Sequence, residues 1–418
     1  MPAPKARLLL IGNELTEGRL TDKNGRFLAQ ELSEMGFEVD ELRIVPDDLT
    51  LLREAMRSLY KSGIPLILSA GGLGHTSDDL TANAWAEVLG DTLEVSSSLL
   101  AHLREGLRKR GYPELPFLEV YAKVPRKGEA IPNPAGLAPA LVWEFPDQFV
   151  AALPGPPHEL QSLWHEAIRP RLHRKFLPKA PRQVTFRTTG ITESRLSEQI
   201  QAWEKQLPPS IHLSYGPSWE GVSLHLRAPA DLPEELFTSQ ANQLRELLKP
   251  YLFAEGPSSL AEALLQALKK KQHTLAIAES CTGGHIAATL VEIPGASDVL
   301  LGGIVAYSNS AKETLLNVSS NDLRNYGAVS EPIARAMAEG VRQRFGAAYG
   351  IATTGIAGPS GGTDEKPVGT VWIGIATPVE TSARKFIFPG DRSAIIGRAT
   401  ATALSLLWQN LHRPPQTL

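Results

Sequence analysis

The sequence of 418 residues contains one cysteine, no long apolar run and no large excess of either charge. The single cysteine, Cys281, excludes an internal disulfide bond and a zinc site built from several cysteines, and it is typical of a reducing compartment. No run approaches the ~20 apolar residues of a membrane-spanning helix, and the apolar run near the N-terminus is too short for a signal peptide. We therefore expect a cytoplasmic protein that does not enter a membrane.

The charge balance gives no reason to expect nucleic acid as the main partner. The formal net charge is −3 and the sequence pI is about 6.4, whereas nucleic-acid binding favours a basic surface. Hydrophobic residues make up 42% and charged residues 21%, as in ordinary globular proteins. The length indicates two or three domains.

The first ~170 residues alternate β-rich runs with helical patterns, which predicts a doubly wound α/β domain. The helical spacing of Leu28, Leu32 and Met35 predicts a first crossover helix that ends at Gly36. The strands predicted in this region are Arg7–Ile11, Glu38–Val45, Ile64–Ser69 and Phe149–Leu153.

Residues 176–256 have a different pattern. A β-α-β-β-α order with a closing strand predicts a small α+β domain that superficially resembles RNA-binding modules of the KH type. The Gly-x-x-Gly clamp between two helices and the basic stripe of those modules are missing, so a spacer or dimerisation role is favoured. Its free sheet edge makes a homodimer the expected assembly.

A third α/β domain is predicted from residue 257 onward. Its first helix has Ser258 or Ser259 as N-cap and Lys269 to Lys271 at its C-terminus, where the helix dipole favours cations. The pattern ends in a helix from about 392 to 410. The strands predicted between these helices are Leu275–Ala278, Leu300–Tyr307, Gly350–Thr353, Thr370–Ile375 and Arg384–Phe388.

Residues 68–90 form the first candidate site. Gly71, Gly72 and Gly74 allow a ligand to approach the backbone closely, and the helix after Asp79 is expected to point its N-terminal amides at a phosphate. Asp78 and Asp79 would repel that phosphate. A Mg²⁺ ion between the carboxylates and the phosphate removes the conflict.

A simpler interpretation of the same segment is that Thr76 or Ser77 caps the helix. Other acidic residues favour a site instead: Glu14 follows the first predicted strand, and Asp47 and Asp48 follow the second. Because the ends of parallel strands converge on one rim of a sheet, these carboxylates are expected to lie near one another.

The motifs "IGNELTEG", "LSAGGLGHTSDDLT", "NPAGLAPA" and "LPGPPHEL", in this order, resemble the molybdopterin-binding-like domain of the CinA family of competence/damage-inducible proteins. The resemblance implies a pyrophosphatase that uses a divalent metal (Mg, Mn or Co) to cleave ADP-ribose to AMP and ribose 5-phosphate. It implies a metal at Asp78, Asp79 and Glu14. The substrate-binding positions that it implies are Gly71, Gly72, Gly74, Thr76, Asn133 and Gly155.

The turn "ESCTGG" is the second candidate site. Ser280 becomes a nucleophile if a base removes its proton and backbone amides receive the oxyanion, and the helix after Thr282 is expected to supply those amides. No histidine obviously completes a triad, since His273 precedes the strand and His285 lies inside the helix. Lys312 becomes the candidate base if a desolvated pocket lowers its pKa.

Alternatives remain at each of these positions. Ser280 could serve only as a helix cap, and Lys312 could be an exposed helix lysine. Cys281 is the rival nucleophile, because a thiolate at a helix N-terminus is activated, although a buried packing cysteine is commoner. We favour Ser280.

The motifs "ESCTGG", "GGIVAYSNSAK", "TTGIAGPSGG", "KPVGTV" and "GDR" resemble the CinA C-terminal domain, which is similar to nicotinamide mononucleotide (NMN) deamidases. The resemblance implies hydrolysis of NMN to nicotinate mononucleotide and ammonia without a cofactor. The catalytic positions that it implies are Ser280, Tyr307, Lys312 and Thr354. The binding positions are Cys281, Thr282, Gly283, Gly284, Gly355, Gly358, Gly361, Gly362 and Arg392, with Arg398 as the alternative arginine.

In the mechanism expected from these residues, Lys312 deprotonates Ser280 with help from Tyr307. Amides near Cys281–Gly284, together with Thr354, hold the oxyanion or orient the carboxamide. The glycine loop at 355–362 and an arginine receive the ribose and the phosphate.

The working hypothesis is a bifunctional pyridine-nucleotide recycling hydrolase with domains at 1–175, 176–256 and 257–418. One alternative is that only the C-terminal domain is active and the N-terminal domain binds a pterin-like or nucleotide ligand. Another is an accessory protein of competence or DNA repair that acts through partners.

Overall fold

The computed structural model describes residues 3–113 and 115–412. The chain divides into two compact units, Met1–Pro181 and Arg182–Leu418. The boundary between these units, at 181/182, lies close to the predicted domain boundary at 175/176. The predicted middle and C-terminal domains both fall within the second unit. Residues 1–2 and 413–418, the outer ends of the first and last predicted domains, lie outside the described residues.

The first unit alternates strands and helices, as the hydrophobic pattern predicts. Its elements in chain order are β1 (Lys5–Ile11), α1 (Asn13–Thr16), α2 (Asn24–Met35), β2 (Glu38–Val45), α3 (Leu49–Lys61), β3 (Leu66–Ala70), α4 (Thr81–Val88), β4 (Leu93–Val95), α5 (Ser97–Lys109), α6 (Leu118–Tyr121), β5 (Lys123–Pro125), β6 (Glu129–Ile131), β7 (Ala140–Glu144), β8 (Phe149–Leu153), α7 (Pro157–Leu163), a π-helical turn (Trp164–Ile168) and α8 (Arg169–Phe176).

The main sheet of this unit has the strand order β2-β1-β3-β8-β7-β6. Strands β2, β1, β3 and β8 are parallel, and β7 and β6 are antiparallel. Successive residues of β1 serve opposite faces: Leu8 and Leu10 pack with α2, α7 and α8, whereas Leu9 and Ile11 pack with α3 and α4. Helices therefore cover both faces, which confirms the doubly wound α/β prediction.

Helix α2 forms as its spacing predicts. Leu28, Leu32 and Met35 are buried on one face, and Gly36 ends the helix in the left-handed conformation at φ 100°. A Cβ at Gly36 would lie 2.2 Å from the backbone oxygen of Lys179, so glycine is required here for space as well as for conformation.

The second unit begins with the predicted small α+β sheet. Its elements are β9 (Arg182–Thr188), α9 (Glu193–Glu204), β10 (His212–Pro217), β11 (Val222–Ala228), α10 (Glu234–Leu248) and β12 (Leu252–Glu255). The strand order is β10-β11-β9-β12, all antiparallel. Residues of both helices share one core with the sheet. The β-α-β-β-α order and the closing strand form as the pattern predicts.

The remaining elements of the second unit build a five-stranded sheet in the order β14-β13-β15-β16-β17. They are α11 (Leu260–Lys270), β13 (Leu275–Glu279), α12 (His285–Val291), a 3₁₀ turn (Ala296–Asp298), β14 (Leu300–Val305), α13 (Asn309–Leu316), α14 (Ser320–Tyr326), α15 (Glu331–Phe345), β15 (Tyr349–Gly355), β16 (Thr370–Ala376), β17 (Thr381–Ile387) and α16 (Arg392–His412).

Helices cover both faces of this sheet too. Strands β14, β13 and β15 are parallel, and β16 and β17 add an antiparallel hairpin. Helices α11, α12 and α16 share a core with one face, and α13, α14 and α15 share a core with the other. Ser259, one of the two predicted caps, accepts a hydrogen bond from the amide of Glu262 at the start of α11. None of the described helices is both long and apolar enough to cross a bilayer.

Gly340 sets the closest approach between α15 and the end of α13. A Cβ there would lie 2.1 Å from the carbonyl oxygen of Leu316, whereas a Cβ at Gly106 in α5 would meet nothing within 4 Å. Alanine is favoured over glycine by ~1 kcal/mol inside a helix, and forced overpacking costs about 1–3 kcal/mol. We expect Gly340→Ala to lower the free energy of unfolding by about 1–2 kcal/mol and Gly106→Ala to raise it by up to ~1 kcal/mol. Urea unfolding of both variants measures the contrast; equal stabilisation by both would contradict the packing.

Candidate active site

The carboxyl ends of β13, β14 and β15 lie at one edge of the second unit's larger sheet, because these strands are parallel. Ser280 directly follows β13, and Lys312 lies on α13, which follows β14. The Lys312 Nζ is 3.1 Å from the Ser280 Oγ. The fold therefore brings the predicted base and the predicted nucleophile into hydrogen-bond contact.

Lys312 is not an exposed helix lysine: only 1% of it is accessible to solvent. Its Nζ also contacts the carbonyl oxygens of Ala306 at 2.8 Å and Tyr307 at 3.4 Å. A neutral amine has two N–H donors and one lone pair, and the two carbonyls and the Ser280 hydroxyl can satisfy all three. Burial lowers the pKa of Lys312, which favours this neutral, proton-accepting form.

The turn from β13 into α12 holds Ser280 by its backbone. The Ser280 N–H donates to the Thr353 carbonyl at 2.9 Å, and the Gly283 N–H donates to the Ser280 carbonyl at 3.1 Å. Gly283 and Gly284 have φ values of 63° and 102°, in the left-handed region that glycine adopts without steric cost. The two glycines thus let the chain reverse directly after the serine.

Glu279 is a residue of this site to which the sequence analysis gave no role. Its exposed fraction is 1%, and its carboxylate accepts hydrogen bonds from the amides of Gly284 at 3.0 Å, Ile286 at 3.1 Å and Ala287 at 2.9 Å. The sequence signal for it was an acidic residue at the end of an apolar strand, separated from the next helix by five residues.

This contact corrects the expected source of the oxyanion amides. At the start of α12, the amides of Gly284, Ile286 and Ala287 donate to the Glu279 carboxylate. The His285 amide donates to the Thr282 carbonyl, and the Gly283 amide donates to the Ser280 carbonyl. The turn amides that no other described residue accepts are those of Cys281 and Thr282, directly after the nucleophile.

The rival nucleophile and the nearest histidine have other surroundings. Cys281 is 7% exposed within the core formed by α11, α12 and α16, and burial raises the pKa of its thiol to about 12. The thiol is therefore protonated at neutral pH. The His285 Nδ1 lies 3.1 Å from the Thr400 Oγ1 of α16, so this histidine links two helices.

Three threonines surround the Ser280 turn. Thr282 and Thr353 pair their hydroxyls at 2.7 Å inside the core. Thr354 was expected to help hold the oxyanion, but its hydroxyl donates to the Ala328 carbonyl at 2.8 Å. Its proton is therefore already committed, and its contribution is to anchor the end of β15.

Tyr307 differs from its expected role as assistant to Lys312. Its backbone carbonyl contacts the lysine, whereas its side chain is 63% exposed and its hydroxyl accepts a hydrogen bond from Arg392 at 3.1 Å. Arg392 also donates to the Gly358 carbonyl at 2.8 Å. These contacts place Arg392, rather than Arg398, beside the glycine loop.

The glycine loop at 355–362 needs small residues for space. A Cβ at Gly355 would lie 2.6 Å from the Thr370 carbonyl oxygen, and one at Gly358 would lie 2.6 Å from the Val368 side chain. Gly361 has a left-handed φ of 92°, and a Cβ at Gly362 would lie 2.8 Å from a backbone nitrogen. The loop therefore offers backbone groups, with few side chains in the way.

The first unit contains a cavity of about 410 Å³ at the carboxyl ends of β1 and β3. Glycine backbone and carboxylates line it together. The predicted site residues among its lining are Glu14, Gly71, Gly72, Thr76, Asp78, Asp79 and Gly155, and Asp47 joins them. Gly74 lines a smaller adjoining cavity with Asp79 and Tyr121.

The acidic residues of the cavity influence one another. Burial raises the pKa of Asp47, and the charges of Glu14, Asp78 and Asp79 raise it further. Asp47 also accepts a hydrogen bond from the Asn13 amide at 2.8 Å. The accumulation of like charge in one cavity is the condition that a bound cation relieves.

Asp48, the neighbour of Asp47, has a structural role. Its carboxylate accepts hydrogen bonds from the Thr50 and Leu51 amides and caps α3. Asn133, predicted to bind substrate, is also committed: its amide donates to the Ala138 carbonyl and to Glu159.

The helix predicted after Asp79 forms, but no predicted residue caps it. Helix α4 begins at Thr81 after Leu80, without a side-chain cap, so neither Thr76 nor Ser77 caps it. The Thr76 hydroxyl instead lies 2.5 Å from Asp78 and 2.6 Å from Asp79. The Thr81 amide donates to the Gly72 carbonyl, and is not turned toward a ligand.

The carboxylates fit a divalent cation only in part. Within residues 3–113 and 115–412, no three His, Cys, Asp or Glu side chains lie close enough together to form a complete metal site. Mg²⁺ commonly takes one or two carboxylates and completes its shell with water and phosphate oxygens. That mode needs no more than two carboxylates, and the cavity is lined by Glu14, Asp47, Asp78 and Asp79.

The fold and the two sites define a two-unit α/β protein with an acidic, glycine-lined cavity and a buried serine–lysine pair. Residues 7–174 match the family description "Probable molybdopterin binding domain", and residues 257–411 match "CinA C-terminal domain". A CinA-like protein of Syntrophotalea carbinolica is 38% identical over 404 residues, covering 96% of each chain. The chain belongs to the CinA family.

The chain is also similar to other proteins. A CinA-like protein of Thermotoga maritima is 36% identical over 408 residues, covering 96% of this chain and 97% of the relative. A crystal structure of a competence-damaged protein (CinA) superfamily protein from Escherichia coli is 38% identical, covers 36% of this chain and 88% of that one, and has a TM-score of 0.35.

The burial of Cys281 predicts its chemical behaviour. Because its thiol pKa is about 12 and the thiolate is the reactive species, we expect native protein at pH 8 to react with iodoacetamide at least about a thousandfold more slowly than a small-molecule thiol. Unfolding in urea should make labelling complete. Mass spectrometry of the alkylated chain measures the rate, and rapid labelling of the native protein would contradict the assignment.

Proposed function

We propose that the second unit hydrolyses the carboxamide of nicotinamide mononucleotide, giving nicotinate mononucleotide and ammonia. The observation that carries the proposal is the contact between the Lys312 Nζ and the Ser280 Oγ, 3.1 Å apart and both buried. A hydroxyl attacks an amide only when a base removes its proton, and a neutral buried lysine supplies that base. The substrate itself comes from the resemblance of the C-terminal motifs to NMN deamidases, in residues that match the CinA C-terminal domain.

The first half of the proposed reaction acylates the serine. The Lys312 amine takes the Ser280 proton as Oγ bonds to the carboxamide carbon, and the carbonyl electrons move onto oxygen. The Cys281 and Thr282 amides donate to this oxyanion. When the carbon–nitrogen bond breaks, the Lys312 ammonium gives its proton to the departing nitrogen and ammonia leaves.

The second half releases the acid. Water attacks the ester on Ser280 while Lys312, neutral again, accepts its proton. The oxyanion forms and collapses at the same amides, the bond to Oγ breaks, and the proton returns from lysine to serine. Ser280 and Lys312 return to their starting protonation states, and these reaction steps need no cofactor.

Arg392 and the glycine loop are the proposed binding site of the nucleotide phosphate. The guanidinium lies between the Tyr307 hydroxyl and the Gly358 carbonyl, and it can exchange these neutral acceptors for a doubly charged anion.

Single substitutions separate the two candidate nucleophiles. We expect Ser280→Ala and Lys312→Met each to lower kcat for ammonia release from NMN by at least ~1,000-fold, because nucleophile and base act as one unit. Cys281→Ala should keep kcat within about threefold of the unchanged protein, since the thiol only packs. A coupled ammonia assay on the full chain measures both, and loss of activity in Cys281→Ala alone would overturn the serine assignment.

The reaction should also depend on pH through Lys312. Because the neutral amine is the active form, kcat should rise with pH as the lysine loses its proton and level off above its pKa, which burial places below the ordinary 10.5. Lys312→Arg, whose side chain stays protonated, should lack this rise. A rate that falls with increasing pH through the neutral range would exclude lysine as the base.

A second activity, metal-dependent hydrolysis of ADP-ribose to AMP and ribose 5-phosphate, is proposed for the first unit. The supporting observation is the cavity of about 410 Å³, a size typical of small-molecule sites, whose lining includes Gly71 and Gly72 together with Asp47, Asp78 and Asp79. When bound, a divalent metal would polarise the diphosphate and activate water. Gly71 and Gly72 let the phosphates approach the backbone closely.

The neighbouring residues Asp47 and Asp48 offer a matched test. We expect Asp47→Ala or Asp78→Ala to reduce AMP release from ADP-ribose by at least ~100-fold, because each removes a metal-binding carboxylate. Asp48→Ala should keep the activity and cost about 1 kcal/mol of stability, since it removes only the α3 cap. Chromatography of the products with added Mg²⁺ measures the rates, and full activity in EDTA would overturn the proposal.

The alternative of an accessory role in competence rests on names. A relative from Clostridium novyi, 35% identical over 413 residues, carries the words "competence-damage inducible" in its name. Inactivity toward both substrates, together with salt-dependent DNA binding, would favour this alternative.

A further inference from the structure

Glu279 is a buried acid that the proposed mechanism leaves unused. It ends β13 directly before Ser280, and its carboxylate accepts the amides of Gly284, Ile286 and Ala287 at 2.9–3.1 Å. A buried carboxylate is costly unless its oxygens are hydrogen-bonded, so these contacts resist any movement of the turn. The side chain thus ties the end of the strand to the start of the helix across residues 280–284.

The same contacts decide where an anion can bind. The start of a helix attracts negative charge, and here the protein's own carboxylate already occupies that place. A substrate phosphate or a developing oxyanion is excluded from the α12 amides. The Cys281 and Thr282 amides, which no other described residue accepts, remain.

The alternation of side chains along β13 and into the turn explains how Glu279 can influence the neighbouring Ser280. Successive strand side chains point to opposite faces of a sheet. Glu279 contacts α12 on one face, while Ser280 contacts Lys312 of α13 on the other. A shift of the Glu279 side chain would therefore rotate the serine relative to its base.

We infer that Glu279 is a positioning residue for the amide hydrolysis proposed above, holding the 280–284 turn so that the Ser280 Oγ faces Lys312 and the Cys281 and Thr282 amides face the oxyanion. The inference rests on the proposed function and deepens it. It predicts that Glu279 affects kcat, whereas Arg392 and the glycine loop determine substrate binding.

The test replaces Glu279 in the full chain and measures NMN deamidation. Glu279→Gln keeps the size of the side chain but turns an NH₂ group toward amide donors. We expect kcat per folded molecule to fall about 10- to 100-fold, as for other lost positioning contacts, with KM within about threefold. Glu279→Asp, which keeps the charge, should recover part of kcat.

Cys281 provides a readout that does not depend on catalysis, because it is the only cysteine in the chain and lies in the same turn. The thiol is only 7% exposed, so its reaction with iodoacetamide reports whether the turn stays closed. If Glu279 holds the turn, we expect Cys281 to be labelled about tenfold faster in Glu279→Gln than in the unchanged protein, well below both unfolding midpoints. Glu279→Asp keeps the charge, so faster labelling in that variant too reports a loosened turn rather than the loss of the charge.

Glu292→Gln is the matched control, since Glu292 is an exposed glutamate at the other end of α12. It should leave both kcat and labelling unchanged. Unchanged kcat and labelling in Glu279→Gln would overturn the inference, as would a loss confined to KM. If Glu279→Gln does not fold, Glu279→Asp carries both readouts. If the unchanged protein releases no ammonia from NMN, the proposed function fails, and the labelling contrast alone decides whether Glu279 holds the turn.

Discussion

The contact between the Lys312 amine and the Ser280 hydroxyl is the interaction on which the second unit's site depends. An amine enters a protein core only when its hydrogen-bonding groups are satisfied and its charge is suppressed. The Ala306 and Tyr307 carbonyls meet the first condition, and burial meets the second. The core of α13, α14 and α15 therefore favours the neutral form of a residue that is usually charged and exposed.

The opposite face of the same strand shows complementary chemistry. There Glu279, a buried charge, is balanced by three backbone amides, and Cys281 is kept protonated by the core around it. The sheet therefore separates the buried Ser280–Lys312 pair on one face from the buried Glu279 carboxylate on the other. Two glycines with left-handed φ values make the reversal between them sterically allowed.

In the first unit, acidic residues that are adjacent in sequence have different roles at the edge of the sheet. Asp47 lines the cavity, and the charges of three other carboxylates raise its pKa. Asp48 instead caps α3. Asn133, in a motif that resembles a binding loop, instead holds its own loop to Glu159. Asp47 and Asp48 differ because their side chains point in different directions where the chain leaves β2. Local composition does not encode that direction.

The sequence by itself determined the order of helices and strands, the apolar faces, and the polar turns that follow the strands, because periodicity and turn chemistry are local properties. It also paired Ser280 with Lys312 as candidates. Only the tertiary structure decided which hydrogen bonds each group makes: that Tyr307 reaches Arg392, that Thr354 is committed to Ala328, and that Glu279 occupies the amides of α12. Packing determines which groups distant in sequence become hydrogen-bond partners. A sequence motif therefore does not show whether a donor is already bonded within the folded protein.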